Sequence, residues 1–260
     1  MAPTAAAAAF GMAATALANC FPIAQLPDAA QAGVQPIALR PAPPARGEVR
    51  LTFLGHSSFL IETPAGVTAI TDYNGAVRAA FAPDIVTMNN AHSTHYTDFV
   101  EPGVKHVLRG WGPAGGVAAH DVTEGDLRVR NVPTNVRESG GTRYNGNSIF
   151  VFEVADLCIA HLGHLHHTLT DVHLGELGQI DVLLVPADGA YTMAQELMVE
   201  VVGQIAPTLV VPMHYFSSST LARFLELIED SYEPIYSDTP TVTLTSLKLP
   251  YHKVLVLPGG

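Results

Sequence analysis

Short apolar runs separated by turn residues occupy the chain from residue 49 onward, and helical spacing of apolar residues begins only near residue 194. Runs that are rich in β-branched and aromatic residues and end at Gly, Pro or Asn are typical of strands. The pattern predicts one bent strand or two strands in VRLTFLGHSSFLIET, and further strands in VTAITDY, DIVTMNN, KHVLRG, LRVRNVPT, SIFVFEVADLCIAHLG, DVLLVPADG, TLVVPMHY and TVTLTSLKL.

Two later segments predict helices. In AQELMVEVVGQIA the apolar residues recur at helical spacing, and SSTLARFLELIED opens with hydroxyl side chains that can cap a helix. Strands in two batches, each followed by helices, predict two sheets with helices outside them. We therefore expect one domain over residues 47–260.

Residues 1–46 differ in composition from this domain, because an alanine-rich apolar run is followed by the proline-rich PIALRPAPPARG. The small residues of Ala16-Leu17-Ala18 fit a leader-peptidase site, but no Lys or Arg precedes Arg40. We interpret the segment as a leader or a disordered tail. It favours an exported, periplasmic protein, with a cytoplasmic protein as the alternative.

The formal net charge of -11 argues against nucleic acid or an anionic membrane as the main partner, because either would be repelled over most of the surface. No later run is long and apolar enough to span a bilayer. A small molecule is the expected partner, and the oligomeric state stays open. The two cysteines indicate no disulfide framework, and Cys158 is expected to be a buried, inert thiol.

Histidines gather where the predicted strands end. His92 and His95 lie three residues apart, His161 and His164 repeat that spacing, and His214 ends a third apolar run. Neutral imidazole is the commonest protein ligand for zinc and related metals. Strand ends on a common edge bring distant residues together, so these five histidines predict a metal site.

Six stretches follow, in order, the landmarks of a known family: LTFLGHSSFLIET, AITDYNG, DIVTMNNAHSTHYTDF, CIAHLGHLHH, DVLLVPADG and PTLVVPMHY. Over residues 49–215 the chain resembles the metallo-β-lactamase-fold hydrolases. It is most similar to the branch that includes ascorbate-6-phosphate lactonase and related zinc-dependent hydrolases. The resemblance implies an α+β fold, an αββα sandwich of two mixed sheets flanked by helices, with the metal site at one edge of the sheets.

The chain departs from the family's signature at the metal site. Where the family has T-H-x-H-x-D-H, Asn90 replaces the first histidine and Thr94 replaces the aspartate. In the family's H-x-G-D, His164 replaces the aspartate that usually bridges two metals. Three exchanges at ligand positions predict an altered metal centre.

Carried over by position, the first metal pocket would keep His92 and His161, with the amide oxygen of Asn90 as a weak substitute. The second pocket would hold His95, His164 and His214. Three neutral imidazoles and a water make a complete open site, so this pocket is the sounder one.

Loss of two carboxylates removes negative charge that would offset two dications. We therefore predict one metal ion rather than two, or a rearranged site that uses all five histidines. Zinc is the default. Copper, nickel, manganese and iron stay open, because nitrogen ligands suit several metals.

Five further residues are candidates near the metal. Asp72 could orient a ligand imidazole or cap a turn. His56 would carry a proton or contact substrate, and Thr94 and Tyr215 could donate to a developing oxyanion. Arg143 could anchor an anionic substrate group. A structural role is the alternative for each of them.

The implied activity is hydrolysis of an ester, lactone, amide or phosphoester by a metal-bound hydroxide. The resemblance does not choose among these substrates, and an anionic lactone is the narrowest expectation. One alternative is a non-hydrolytic periplasmic metal-binding protein. Another is a pseudo-enzyme without metal on the same fold.

Overall fold

Two β-sheets that share a hydrophobic core form the centre of the molecule. The computed structural model describes residues 40–259. The strands of this part of the chain are β1 Val49–Gly55, β2 Ser58–Glu62, β3 Thr68–Ile70, β4 Ile85–Met88, β5 His106–Arg109, β6 Asp121–Glu124, β7 Leu127–Glu138, β8 Gly141–Val154, β9 Leu157–His161, β10 Val182–Pro186, β11 Leu209–Met213, β12 Glu233–Tyr236, β13 Thr241–Leu244 and β14 Lys253–Val256.

Both sheets mix parallel and antiparallel pairs. The first has the strand order β13-β1-β2-β3-β4-β5, and the second has β12-β14-β11-β10-β9-β8-β7-β6. The inner faces of the two sheets share one apolar cluster, which joins residues such as Leu51 and Ile61 of the first sheet to Phe152 and Leu184 of the second. Burial of these faces holds the sheets together.

Three helices are described: α1 Asp171–Leu177, α2 Gln195–Ile205 and α3 Ser218–Ile228. Their apolar residues pack on the outer face of the second sheet, where Met198, Val201 and Phe224 join a second core cluster. Coil residues such as Phe81 cover the outer face of the first sheet instead. The predicted sandwich of two mixed sheets is confirmed, but its described helices lie on one side only.

The predicted elements are found with a few differences. Helices α2 and α3 are confirmed, and Ser217 Oγ caps α3 by accepting the Thr220 N–H. The run TVTLTSLKL is not one strand, because β13 ends at Leu244 and a 3₁₀ turn follows over Ser246–Lys248. Strands β6, β12 and β14 and the short helix α1 were not predicted, since each is too short to show clear periodicity.

The proline-rich stretch meets the domain at its end. Arg40 donates to Asp84 Oδ2 over 2.7 Å and to the carbonyl oxygen of Ala82 over 2.9 Å. The contacts of the domain thus extend back before residue 47. The predicted leader features of residues 1–39 lie outside the described residues, so export stays a prediction.

The structure also bears on the expectations about Cys158 and about membrane-spanning segments. Cys158 is buried as expected, but it is disulfide-bonded, so the expectation of an inert thiol is wrong. Over residues 40–259, no helix combines the length and the apolar character that crossing a membrane requires.

A buried ion pair ties α1 to the second sheet. Arg130 of β7 donates from Nε to Glu153 Oε1 of β8 over 2.7 Å, and Glu153 is fully buried. The other two guanidinium nitrogens of Arg130 donate to the carbonyl oxygens of Glu176 and Leu177 at the end of α1, over 2.8 and 2.7 Å. One side chain therefore satisfies a buried carboxylate and a helix end.

We expect Arg130→Ala to lower the free energy of unfolding by about 3–5 kcal/mol, because it leaves the Glu153 carboxylate buried without its closest cation. Urea denaturation measures this loss. Arg128→Ala is the matched control, since Arg128 also donates to Glu153 but is more exposed, and it should cost about 1 kcal/mol or less. Equal losses for the two variants would contradict this account.

Candidate metal centre

The polar loops at one edge of the two sheets converge on a single site. His56 follows β1, Asp72 follows β3, His95 follows β4, and His214 follows β11. His56, Asp72 and His214 have positive φ angles of 54°, 49° and 52°. Non-glycine residues rarely adopt this conformation, and such strain is typical of functional sites.

Three histidines form a tight cluster. One ring nitrogen from each of His56, His95 and His214 lies within 4.8 Å of the other two. The ring centroids are 4.4 Å apart for His56 and His214, and 5.1 Å apart for each pair that contains His95. Imidazole nitrogens gathered in this way are a typical divalent metal site.

A buried carboxylate orients His95. The Nδ1–H of His95 donates to Asp72 Oδ2 over 2.6 Å, and Asp72 Oδ1 accepts the backbone N–H of Asn89 over 3.1 Å. Burial alone would raise the pKa of Asp72, but the interaction and hydrogen bond with His95 hold it well below its usual range. Asp72 is therefore ionised, and the Nε2 lone pair of His95 faces the cluster.

A second carboxylate orients His214 in the same way. The Nδ1–H of His214 donates to Asp188 Oδ1 over 3.0 Å. Asp188 also accepts the hydroxyl of Thr192 over 2.6 Å and the backbone N–H of Ala190 over 2.8 Å. Although burial raises the pKa of Asp188, the hydrogen bonds of His214 and Thr192 hold it well below its usual range. Both ligand candidates thus have the carboxylate support that metal-binding histidines usually have.

His164 lies beside the cluster. Its Nε2 contacts the carbonyl oxygen of Tyr191 at 3.1 Å, and its Nδ1 lies 3.3 Å from His95 Nε2. The carbonyl requires the proton on Nε2, so Nδ1 is unprotonated. Burial and the neighbouring His95 lower the pKa of His164 to about 2. Because His95 already donates from Nδ1 to Asp72, the contact between the two rings is a hydrogen bond only when His95 also carries a proton on Nε2. A metal ion bound to His95 Nε2 would take the place of that proton.

The structure places His161 and His92 outside the cluster. His161 is fully buried, its Nε2 donates to the carbonyl oxygen of Ser57 over 2.7 Å, and its Nδ1 accepts the Gly163 N–H over 3.1 Å. Both of its ring nitrogens are therefore engaged. His92 is exposed, and its Nδ1 lies 2.9 Å from Thr94 Oγ1.

The remaining predicted residues lie at different distances from the site. Arg143 and Thr94 line the cavity over the histidines. The side chain of Tyr215 packs with the helices instead, and its hydroxyl donates to the carbonyl oxygen of Leu257 over 3.4 Å. Burial lowers the pKa of His56 to about 4, with His214 and His95 adding to the effect, so His56 is neutral at pH 7.

Asp188, Tyr191, Phe216 and His166 were not predicted. Asp188 follows β10 at the same edge as the other strand-end residues, and that position was its only signal in the sequence. Phe216 packs against the His214 ring at a centroid distance of 5.1 Å. Tyr191, Phe216 and His166 line a cavity of about 620 Å³ over the histidines, a size that suits a small molecule.

The site and fold have counterparts in known proteins. Residues 50–214 match the family described as "Beta-lactamase superfamily domain". The chain belongs to this family. The match includes the strand ends that carry His56, Asp72, His95, Asp188 and His214, so the predicted membership is confirmed.

Relatives of this family member are named as metal-dependent hydrolases. One from Salinibacter ruber is 26% identical over 73% of this chain and 94% of its own length, and one from Thermococcus onnurineus is 28% identical over 72% and 95%. A solved structure from Thermotoga maritima, named as a Zn-dependent hydrolase of the metallo-beta-lactamase superfamily, has a TM-score of 0.59 and 28% identity, and the match covers 80% of this chain and 98% of the other. The prediction of a generic metal-dependent hydrolase is confirmed at this level.

We expect Asp72→Asn to weaken divalent-metal binding by roughly 10–100-fold, because an amide no longer holds the His95 tautomer with its Nε2 lone pair free. Competition with a chromogenic chelator measures the dissociation constant. Asp98→Asn is the matched control, since Asp98 is 69% exposed and pairs with Arg109 at the surface. An unchanged metal affinity for Asp72→Asn would contradict the supporting role of this carboxylate.

Proposed function

We propose that this family member is a hydrolase with one divalent metal ion held by His56, His95 and His214. The observation that carries the proposal is the mutual approach of three imidazole nitrogens within 4.8 Å, two of them from rings supported by carboxylates. Zinc is the first expectation for an all-imidazole site, with copper, nickel, manganese and iron as alternatives.

The donor set suits one dication. Asp72 and Asp188 each contribute one negative charge behind a neutral ligand, and the sum of -1 and -1 balances a single +2 ion. A second dication nearby would lack this compensation. His161 has both ring nitrogens in hydrogen bonds, so we propose that it supports the His56 loop through Ser57 rather than binding metal.

A divalent ion at this cluster would act as a Lewis acid, which lowers the pKa of a water molecule towards neutrality and polarises the bond to be hydrolysed. The protein's part is to orient the ligands and the attacking water. His164 Nδ1 is unprotonated because Nε2–H is held by the carbonyl oxygen of Tyr191. Since burial lowers the pKa of His164 to about 2, we propose that Nδ1 accepts a hydrogen bond from this water and orients it, rather than taking its proton.

His164 was predicted from the sequence as a metal ligand, and its Nδ1 lies as close to His95 Nε2 as two ligands of one ion would. Two nitrogens bound to a tetrahedral zinc ion at about 2.0–2.1 Å lie roughly 3.3 Å apart. However, His164 does not belong to the cluster of His56, His95 and His214, whose ring nitrogens all lie within 4.8 Å of one another. We therefore favour His56 as the third ligand.

The proposed substrate is a small ester, lactone, amide or phosphoester, with the cavity of about 620 Å³ as the support for a small molecule. An anionic lactone, as in the ascorbate-6-phosphate lactonase branch, is the narrower form of the proposal. Thr94 and Tyr215 stay predictions as oxyanion donors. Thr94 lines the cavity. For Tyr215, the only support is its place in the sequence directly after His214.

Two single substitutions separate the metal ligand from the water-orienting group. We expect His56→Ala to lose metal, with a fall in affinity beyond the roughly 10–100-fold expected for loss of a supporting carboxylate. We expect His164→Ala to keep its metal and to lose about 10²-fold in turnover, as misplacement of a reacting group does. Elemental analysis and a panel of esters, lactones and phosphodiesters measure the two effects.

The outcomes decide between the roles. If His164→Ala loses the metal and His56→Ala keeps it, the third ligand is His164 and not His56. His120→Ala is the control histidine, because it lies outside the three-histidine cluster and its Nε2 contacts the carbonyl oxygen of Arg109. Bound metal without turnover of any panel member would leave a metal-binding protein instead of a hydrolase.

Metal removal provides an independent prediction. We expect reconstituted protein to contain one ion per chain and to melt at a higher temperature than chelated protein, because an ion that binds only the folded chain adds RT ln(1 + [M]/Kd) to stability. Calorimetry against zinc concentration measures the shift. Two ions per chain, or a melting temperature that does not depend on metal, would contradict the single site.

A further inference from the structure

Hydrogen-bond donors without acceptors gather on the cavity wall next to the histidine cluster. Asn90 is 2% exposed and lines the cavity. Arg143 Nη2 lies 3.4 Å from Asn90 Oδ1. A guanidinium only donates, so the amide oxygen of Asn90 faces Arg143 and the amide nitrogen points away from it. The other end, Asn90 Nδ2, has no acceptor among residues 40–259. A buried donor of this kind favours a bound acceptor.

His166 adds a second such donor. Its Nδ1 accepts the backbone N–H of Arg137 over 2.8 Å, so the ring carries its proton on Nε2. Within the described part of the chain, this buried Nε2 also lacks a partner. Asn90 and His166 thus each carry an N–H without a partner, and both residues line the same cavity together with Arg143.

The β7–β8 hairpin supplies the charge on this part of the wall. Val136 and Arg143 pair across the hairpin, and Arg137 and Arg143 both line the cavity. Glu138 lies at the same end, with Oε1 3.0 Å from Arg143 Nε, and its side chain is 49% exposed. The carboxylate is thus positioned to compete with any anionic ligand for the guanidinium.

The loops after β10 and β11 supply a different surface. Tyr191 and Phe216 are 67% and 59% exposed, and their rings meet edge to face at 5.5 Å. Phe216 also packs on the ring of His56 at 5.9 Å. An exposed aromatic pair in contact with a ligand histidine suits an apolar group of a substrate.

We propose that the cavity binds an amphiphilic anion. Its acidic group accepts hydrogen bonds from Arg143, Asn90 Nδ2 and His166 Nε2, and its apolar group packs on Tyr191 and Phe216. The inference rests on the proposed function for the reacting bond, which lies at the histidine cluster of the same cavity. It narrows the substrate class to esters, lactones, amides or phosphoesters with one acidic and one apolar end.

Binding without turnover tests the subsite. The probes are 4-phenylbutyrate, its neutral analogue 4-phenylbutanamide, and acetate, each titrated calorimetrically into the zinc-loaded full chain. The carboxylate can also reach the metal, so the decisive quantity is how each substitution changes the ratio of the butyrate and butanamide affinities. The metal contributes equally to this ratio in every variant that keeps it.

We expect Arg143→Gln to reduce the preference for butyrate about tenfold, the loss of one charge-assisted contact. We expect Glu138→Gln to raise butyrate affinity several-fold, because Arg143 loses its competing carboxylate. A purely structural role for the arginine would not produce this gain. Arg223→Gln is the control, since Arg223 pairs with Glu196 between α2 and α3.

The aromatic contact is tested separately. Tyr191→Ala should weaken 4-phenylbutyrate about fivefold or more and leave acetate unchanged, because an aromatic contact and buried area are lost while the backbone carbonyl that holds His164 stays. Tyr236→Ala is the control, since Tyr236 is 69% exposed on β12.

Three results would overturn the inference: no detectable binding of 4-phenylbutyrate, an unchanged butyrate preference in Arg143→Gln, or unchanged butyrate affinity in Glu138→Gln. If the expected binding pattern is found but no member of the ester panel is hydrolysed, the proposed function is refuted and the subsite is still supported. The two failures are therefore distinguishable.

Discussion

The hydrogen bond from His95 Nδ1 to the buried Asp72 carboxylate is the interaction on which the site depends. It holds the imidazole in one tautomer and directs the Nε2 lone pair towards His214 and His56. Asp72 keeps its charge inside the protein because the ring and the Asn89 N–H compensate it. Asp188 repeats the arrangement for His214 on the other sheet. Each sheet thus contributes one oriented imidazole to the cluster.

The shared core between the sheets makes this meeting possible. Strands β1, β3 and β4 of the first sheet and β10 and β11 of the second end at the same edge, where their loops carry His56, Asp72, His95, Asp188 and His214. The His214 N–H donates to the carbonyl oxygen of His56 over 2.7 Å, a direct backbone link between loops of the two sheets. The strained φ angles of His56, Asp72 and His214 persist because the packed strands on either side determine the loop paths.

The exchanges in the signature change where the negative charge lies. Thr94 and His164 stand at positions where the resembling family has carboxylates, so those positions bring no charge to the proposed metal site. The carboxylates of Asp72 and Asp188 lie one hydrogen bond behind His95 and His214 instead. Arg143 and Asn90 occupy the neighbouring wall, which offers cationic and amide groups to a ligand. These exchanges agree with the proposed single ion and with the proposed anion-binding wall beside it.

The sequence by itself determined most of the strands, two of the helices, the family and the gathering of polar residues at strand ends. These features depend on local periodicity, on turn residues and on the order of motifs. Only the tertiary structure decided which histidines meet. His161 and His95 look equivalent in the sequence. Both ring nitrogens of His161 are hydrogen-bonded to backbone groups of Ser57 and Gly163, whereas in His95 Nδ1 donates to Asp72 and Nε2 faces the cluster. The availability of an imidazole lone pair depends on the partner of the other ring nitrogen, and for His161 one partner lies 104 residues away in the chain. For the same reason His56 joins the cluster, and Asp188 acquires its role, only once the two sheets are packed.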